Sequence, residues 1–410
     1  MKVSKITLGI ATAILLSSSI HASETTEIQT LKAEVQELRE ITQSLIDETS
    51  NMKTGFDFTT ADADKTHSGL AAGASKVYHS SSPLSIGGYG EMYYANKKDD
   101  AGDRTGTLDV YRFVPYIGYK FSDDIILNTE LEFEHGGAKD GESGYVIVEF
   151  MYLDFLISKN ANIRAGHMLV PMGLINERHE PTLFTTVQRP STSKYLIPST
   201  WHESGVMIYG DIVDNLSYKF AALSALQTGV NGSKWIRDGR GGSFKQTDPA
   251  MAYVARVDYT GVNGLLVGAS TYYAPSLNDV DSTMMMSDFH LDYKYNGARV
   301  YGTYTQVSRS NAENIAADAV ESAKGGYINL SYDVTSLTSS TKSLPIFVQY
   351  ESYNPEEVKA DGTSGVYTKT TTVGVNYFPH EQVVLKVDHA MQSIGSSSSG
   401  TTSISMGFIF

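Results

Sequence analysis

From residue 84 to the C-terminus, apolar and polar positions alternate in short runs. In 127–135, Leu127, Thr129, Leu131 and Phe133 interleave with Asn128, Glu130, Glu132 and Glu134. In 251–259, Met251, Tyr253, Ala255, Val257 and Tyr259 share one parity, with Arg256 and Asp258 on the other. In 383–389, Val383, Leu385 and Val387 alternate with Lys386 and Asp388. A period of two gives a strand with two unlike faces. Sixteen such runs are predicted, at 84–95, 107–121, 123–135, 145–157, 160–169, 203–212, 215–224, 250–260, 263–273, 284–295, 297–307, 325–334, 343–353, 367–378, 381–391 and 400–410. Most are about the length that crosses a bilayer when tilted.

The predicted connections alternate in length. Short ones follow the even strands, as at Ser122-Asp123, Lys159-Asn160, Val213-Asp214, Gly261-Val262, Asn296-Gly297 and Pro379-His380, with a longer one from Thr335 to Lys342. Short turns at one end and longer loops at the other are the arrangement of an outer-membrane barrel. The expected fold is all-β: a 16-stranded antiparallel transmembrane β-barrel, apolar outside and polar inside. An even count places both barrel termini on the periplasmic side. Tyr119, Phe121, Tyr259, Tyr273, Tyr293, Tyr295, Tyr332, Tyr377 and Phe378 fall near strand ends, as interfacial aromatic girdles do. The last strand carries Ile404, Met406, Phe408 and Phe410 on one face. The run Val146 to Ile157 is apolar on both faces apart from Glu149 and Asp154, which predicts Phe150 and Tyr152 at a subunit interface.

The first 83 residues follow other patterns. Residues 1–22 have Lys2 and Lys5, an apolar run from Ile6 to Leu16 and a small-residue ending, the plan of a signal peptide. In 23–53, Ile28, Val35, Thr42 and Thr49 form one heptad series and Leu31, Leu38, Leu45 and Met52 the other, which predicts a coiled-coil helix. Residues 54–83, rich in Gly, Ala, Ser, Thr and Asp, read as a flexible linker. Asp57 to Asp64 lacks the Gly and terminal Glu of a calcium loop. The barrel domain is then 84–410.

Composition narrows the function. The chain of 410 residues has no Cys, and its formal net charge is −14. Acidity argues against nucleic acid as a partner. Without Cys there is no disulfide and no Cys-bound zinc or haem. Beyond the N-terminus no apolar run is long enough for a membrane-spanning helix.

The stretch Pro171 to Glu203 breaks the strand pattern. It carries Glu177, Arg178, His179, Glu180, Arg189, Lys194, His202 and Glu203, with zero formal charge when both His are neutral. Long loops of this kind are functional or disordered. His179-Glu180 and His202-Glu203 lack the second His of H-E-x-x-H, and Pro181 would break the helix that motif needs. No spacing specifies a triad from Ser199, His202 and Asp211. No enzyme, cofactor or metal site is therefore expected. A charged loop folded into a barrel lumen, facing wall charges of opposite sign, would instead constrict a pore. The wall charges singled out are Arg112, Lys120, Glu130, Glu132, Glu134, Arg164 and Arg256. Further lumen-facing candidates are Lys219, Lys294, Arg299, Lys386, Glu91, Asp258, Asp292, Asp333, Glu351 and Asp388.

The run RAGHMLVPMGLINERHEP (Arg164 to Pro181), with IGGYGEMYY (Ile86 to Tyr94) and RFVPYIGYKFSDDIILNTELEFEH (Arg112 to His135), resembles the phosphate-selective porin O/P family of Gram-negative outer-membrane porins. The Gly-x-x-x-x-Pro-Met-Gly of Gly166 to Gly173 is its most specific part. The resemblance implies a sixteen-stranded barrel, a homotrimer, and a loop after strand five folded inward. Phosphate-selective members line the channel with Arg ladders and Lys clusters; here the inward charges are mixed, so phosphate selectivity does not carry over. The expected function is passive diffusion of small hydrophilic solutes and ions through the outer membrane, constricted by loop 170–203. An anion- or phosphate-selective pore is one alternative. A structural protein whose stem reaches peptidoglycan is the other.

Overall fold

The computed structural model describes residues 32–43, 66–139, 141, 143–227, 230–242, 245–276 and 280–410. The expected signal peptide and the first part of the expected linker lie outside them. Sixteen strands close into one antiparallel barrel. They are β1 Leu84–Asp99, β2 Arg104–Lys120, β3 Ile125–Glu134, β4 Tyr145–Phe155, β5 Asn162–Leu169, β6 His202–Val213, β7 Leu216–Ser224 and β8 Met251–Tyr259. The second half comprises β9 Leu265–Ala274, β10 Met284–Tyr295, β11 Ala298–Arg309, β12 Val320–Asp333, β13 Pro345–Lys359, β14 Thr368–His380, β15 Val383–Ile394 and β16 Ser397–Ile409.

Each strand pairs with its neighbours in sequence, and β1 pairs with β16 to remove the last free edge. Closure extends to the final residue, where Gly88 and Phe410 exchange backbone hydrogen bonds of 3.0 and 2.9 Å. The parity read from the sequence sets the two faces. Ile208, Phe220, Val257, Phe289, Ile328, Leu385 and Ile404 are exposed on the outside, while Asn128, Glu130, Arg256, Asp258 and Lys386 are buried inside. Apolar side chains surround a polar interior, the arrangement a bilayer requires. Tyr119, Phe121, Tyr259, Tyr273 and Tyr295 are exposed near strand ends.

Three features differ from expectation. The first and last connections at the loop end are tight turns: β1 and β2 continue to Asp99 and Arg104, and β15 and β16 to Ile394 and Ser397. Polar residues there extend the ladders, and Asp103 N–H bonds the Asp99 carboxylate at 2.9 Å. Phe150 and Tyr152 point into the barrel, not at a subunit interface: they are 0% and 2% exposed. The cause is a bulge, because Glu130 faces Phe150 while Leu131 faces Val148, leaving Glu149 as the extra residue. Glu149 and Phe150 are thereby both turned inward.

The third difference lies in the expected linker. Residues 72–79 form a buried helix instead of flexible chain. Among the described residues, two helices precede the strands: α1 at 32–43 and α2 at Ala72–His79. α1 belongs to a separate unit and leaves Val35, Leu38 and Ile41 exposed. α2 packs on the inner wall at β1, β2 and β3.

A lipid-facing charge tests the outer face. Phe220→Arg, mid-strand in β7, is expected to lower barrel stability by about 2–4 kcal/mol, whereas Leu337→Arg in the turn after β12 should cost about 0–1 kcal/mol. Urea unfolding in lipid vesicles measures both.

Candidate pore constriction

The loop between β5 and β6 folds inward and is pinned around the wall. Its neck is closed by Asn176, whose amide donates to the Val170 and Trp201 carbonyls at 2.7 and 2.9 Å and accepts from Trp201 N–H at 2.7 Å. Asn176 is 1% exposed, so this one side chain satisfies three backbone groups that water cannot reach.

From the neck the chain turns at Pro171-Met172-Gly173. Gly173 has φ +67, and a Cβ there would lie 2.6 Å from Ile197 Cδ1. Only glycine takes that conformation without strain. The Gly173 N–H reaches Asp288 of β10 at 3.1 Å, and Arg256 of β8 donates to its carbonyl at 2.6 Å. Lys219 of β7 then meets both carboxylate oxygens of Glu177 at 2.6 Å. Arg178 pairs with Asp292 of β10 at 3.5 Å, and Arg299 of β11 donates to Leu183 O at 2.9 Å. Farther on, Tyr301 and Asn329 hold Thr185. Lys386 of β15 donates to Phe184 and Thr186 carbonyls at 2.8 and 3.0 Å, and Asp388 accepts from Val187 N–H at 2.6 Å. Glu351 of β13 accepts from Thr192 N–H.

Residues 66–83 occupy the lumen beneath this loop, at the short-turn end. Ala71 N–H donates to Glu177 O at 3.2 Å, and Ala74 N–H to Glu180 at 3.1 Å. Asn128 of β3 donates to Ala74 O at 2.8 Å, and Lys120 to Ser80 O at 2.6 Å. Tyr78 donates to Asp154, which also holds Arg164 at 2.8 Å. His67 stacks on Tyr78 at 3.7 Å and meets Tyr209 OH at 3.1 Å.

These contacts separate the charges singled out from the sequence. Glu177, His179, Glu180, His202 and Glu203 are buried, whereas Arg178, Arg189 and Lys194 are half-buried. Burial pushes the Glu180 carboxyl up to about 7, against the lowering effect of the Ala74 N–H. Glu203 accepts from Ser224 at 2.5 Å and from Gly241 N–H at 3.1 Å, so it anchors the β7–β8 loop. His202 faces His167 at 2.7 Å, and Asp211 lies near Lys159; Ser199, His202 and Asp211 do not form a triad. On the wall, Arg112 is held by Glu91.

Toward the loop end lies a cavity of about 490 Å³. Glu132, Glu134, Tyr145 and Asp238 line it together with Arg112, Arg189, Arg237 and Arg240. Arg237 and Arg240 donate to the Ser199 and Thr200 carbonyls at 3.0 and 2.8 Å. Burial, then the charge of Arg237, lowers the pKa of both Lys194 and Arg240, against the raising effect of Glu134 on Lys194 and of Glu149 on Arg240. Toward the turn end, cavities of about 510 and 600 Å³ remain beside the loop and beside residues 66–69. Sequence reasoning missed Arg237 and Arg240, which lie in a connection without periodicity. It also missed Asn176, a neutral residue with no motif.

A protein of Aquifex aeolicus (strain VF5), described as uncharacterized, is 32% identical over 355 residues, covering 81% of this chain and 80% of that one. This chain belongs to that protein's family. No family model matches it. Among solved structures, Salmonella typhi OmpF in complex with daunomycin covers 79% of this chain and 97% of its own, at 11% identity and TM-score 0.56. The anion-selective porin of Comamonas acidovorans covers 80% and 99%, at 12% identity and TM-score 0.55. The trimer form of in-vitro folded Vibrio cholerae OmpT, an outer membrane protein, covers 80% and 100%, at 12% identity and TM-score 0.52. The family member described here therefore has the fold of outer-membrane porins.

Two predictions follow from the docked segments. Lys219→Met leaves buried Glu177 with Arg256 alone, at 3.7 Å, and should cost about 1.5–3 kcal/mol, most of it recovered in Lys219→Met/Glu177→Met; urea unfolding of the barrel reads both. Burial lowers the His67 pKa to about 3. A depressed His pKa costs nothing above the unfolded value of about 6.5, and stability is lost progressively as pH falls from there toward 3. The gap in thermal midpoint between wild type and His67→Gln should be flat above pH 6.5 and shift against wild type below it.

Proposed function

We propose that the protein is an outer-membrane porin, a passive diffusion channel for small hydrophilic solutes and ions, with loop 170–203 as its constriction. The observation that carries this reading is one cavity of about 490 Å³ lined by charges of both signs, Glu132, Glu134 and Asp238 with Arg112, Arg189, Arg237 and Arg240. Opposed charges in a low-dielectric passage orient dipolar solutes and set ion preference. The loop's acidic side chains are buried in contacts with the wall, N-terminal segment and outer loop, so the side it shows to solvent is basic. That favours a second reading, an anion-preferring pore. The Gly-x-x-x-x-Pro-Met-Gly turn and inward loop support kinship with the O/P porins, while the carboxylates set among these arginines weigh against a phosphate filter. Nothing in the loop contacts supports an enzymatic role.

A homotrimer completes the proposal. The heptads of 23–53 and the uncovered Val35, Leu38 and Ile41 of α1 suit a multi-chain stem on the periplasmic side, where peptidoglycan is the contact that the structural-tether reading requires.

Planar-bilayer recordings test these readings together. Three equal closing steps and weak selectivity are expected from wild type. Arg189→Ala/Arg237→Ala/Arg240→Ala should lower the anion-to-cation permeability ratio roughly twofold or more, read from reversal potentials in KCl gradients. An unchanged ratio removes these residues from the constriction, strong phosphate block favours the selective pore, and absent conductance favours the tether.

A further inference from the structure

Beside the loop, Glu130 of β3, Glu149 of β4 and His179 bring one ligand atom each within 4.8 Å of one another. Glu130 and Glu149 are 0% exposed and His179 is 2% exposed. His179 Nδ1 lies 2.7 Å from Asn176 O. Only an N–H can face a carbonyl oxygen at that distance, so Nδ1 carries the proton. Nε2 of the neutral ring is then a bare acceptor. It nevertheless points at Glu130 Oε1 at 3.1 Å and Glu149 Oε2 at 3.7 Å. In that tautomer a proton or a metal ion must lie between the facing acceptors. Glu130 Oε2 and Glu149 Oε2 are buried with no hydrogen-bond partner, although Glu149 Oε1 accepts from Thr200. Glu132 and Glu180 add negative charge to the same neighbourhood. Arg112 is held by Glu91, and Arg189 points to the His179 carbonyl.

We propose that Glu130, Glu149 and His179 form a binding site for a divalent transition-metal ion of the zinc class, which fastens the constriction loop to β3 and β4. Two ligand bonds of about 2.0–2.2 Å at a tetrahedral angle put donor atoms roughly 3.3–3.6 Å apart, close to the separations here. The Nδ1–H···O=C bond is the outer contact that metal-bound histidines make, fixing tautomer and ring direction. A histidine with two carboxylates suits a borderline ion better than calcium, which takes six to eight oxygens. Entry is from the loop-end cavity, where Thr200 lines the wall and bonds Glu149. The ligands come from three distant segments, one of them at a bulge, so no spacing motif announces them.

The test equilibrates the full-length folded protein with Zn²⁺, removes unbound metal, and measures zinc per chain. One zinc per chain is expected, falling at least tenfold in Glu130→Gln/Glu149→Gln while heat-modifiable gel migration shows a folded barrel. Zinc should also protect the Arg178–His179 and Lys194–Tyr195 bonds from trypsin in wild type and not in the double variant. No retained zinc in folded wild type, or equal retention in the double variant, overturns the site. If the double variant does not fold, His179→Gln replaces it, with the same loss expected and undiminished binding overturning the proposal. Conductance is independent of this result, so its failure leaves the porin reading to its own test.

Discussion

The structure depends on neutralising a charged loop inside a barrel too narrow to hydrate it. A loop carrying Glu177, His179 and Glu180 can enter the lumen only if each meets a partner there, because an unpaired buried charge costs several kcal/mol. Lys219 supplies one for Glu177, and Arg256 caps the neighbouring Gly173 carbonyl. The loop in turn neutralises wall charges that would otherwise need water, as where Phe184 and Thr186 carbonyls receive Lys386. Wall and loop are therefore one electrostatic unit.

That coupling decides which loop charges stay near solvent. The loop is neutral as a sequence, but its acidic groups are consumed by internal contacts and its remaining basic ones stay near solvent. Arg237 and Arg240, bonded to the loop's own carbonyls, strengthen the same sign. The field at the mouth is set by what packing leaves over, not by formal charge.

The N-terminal segment extends the same principle toward the short-turn end. Gly73 sits where a Cβ would lie 2.7 Å from Glu180 Oε1, so α2 approaches the loop as closely as a backbone can. The loop tip and the segment leading to the barrel rest on each other, and the Ala74 N–H and Tyr116 of β2 both meet the Glu180 carboxylate.

The barrel was legible because a bilayer imposes a period of two that local sequence must obey: Leu131 and Glu132 declare opposite faces whatever lies around them. Sixteen strands, their order and the inward sites of Glu130, Arg256 and Lys386 follow from that alternation. The helix at Ala72–His79 was not legible, since Gly, Ala and Ser carry little pattern and become buried only when a wall surrounds them. Nor were the inward turn of Phe150, which a single bulge decides, or the roles of Asn176 and Glu149, whose partners lie far along the chain. Sequence by itself determined which face of each strand meets lipid, because that depends on neighbours two residues apart. Only the tertiary structure decided which lumen charges are paired and which remain for solute, because pairing joins segments that meet only after the barrel has closed.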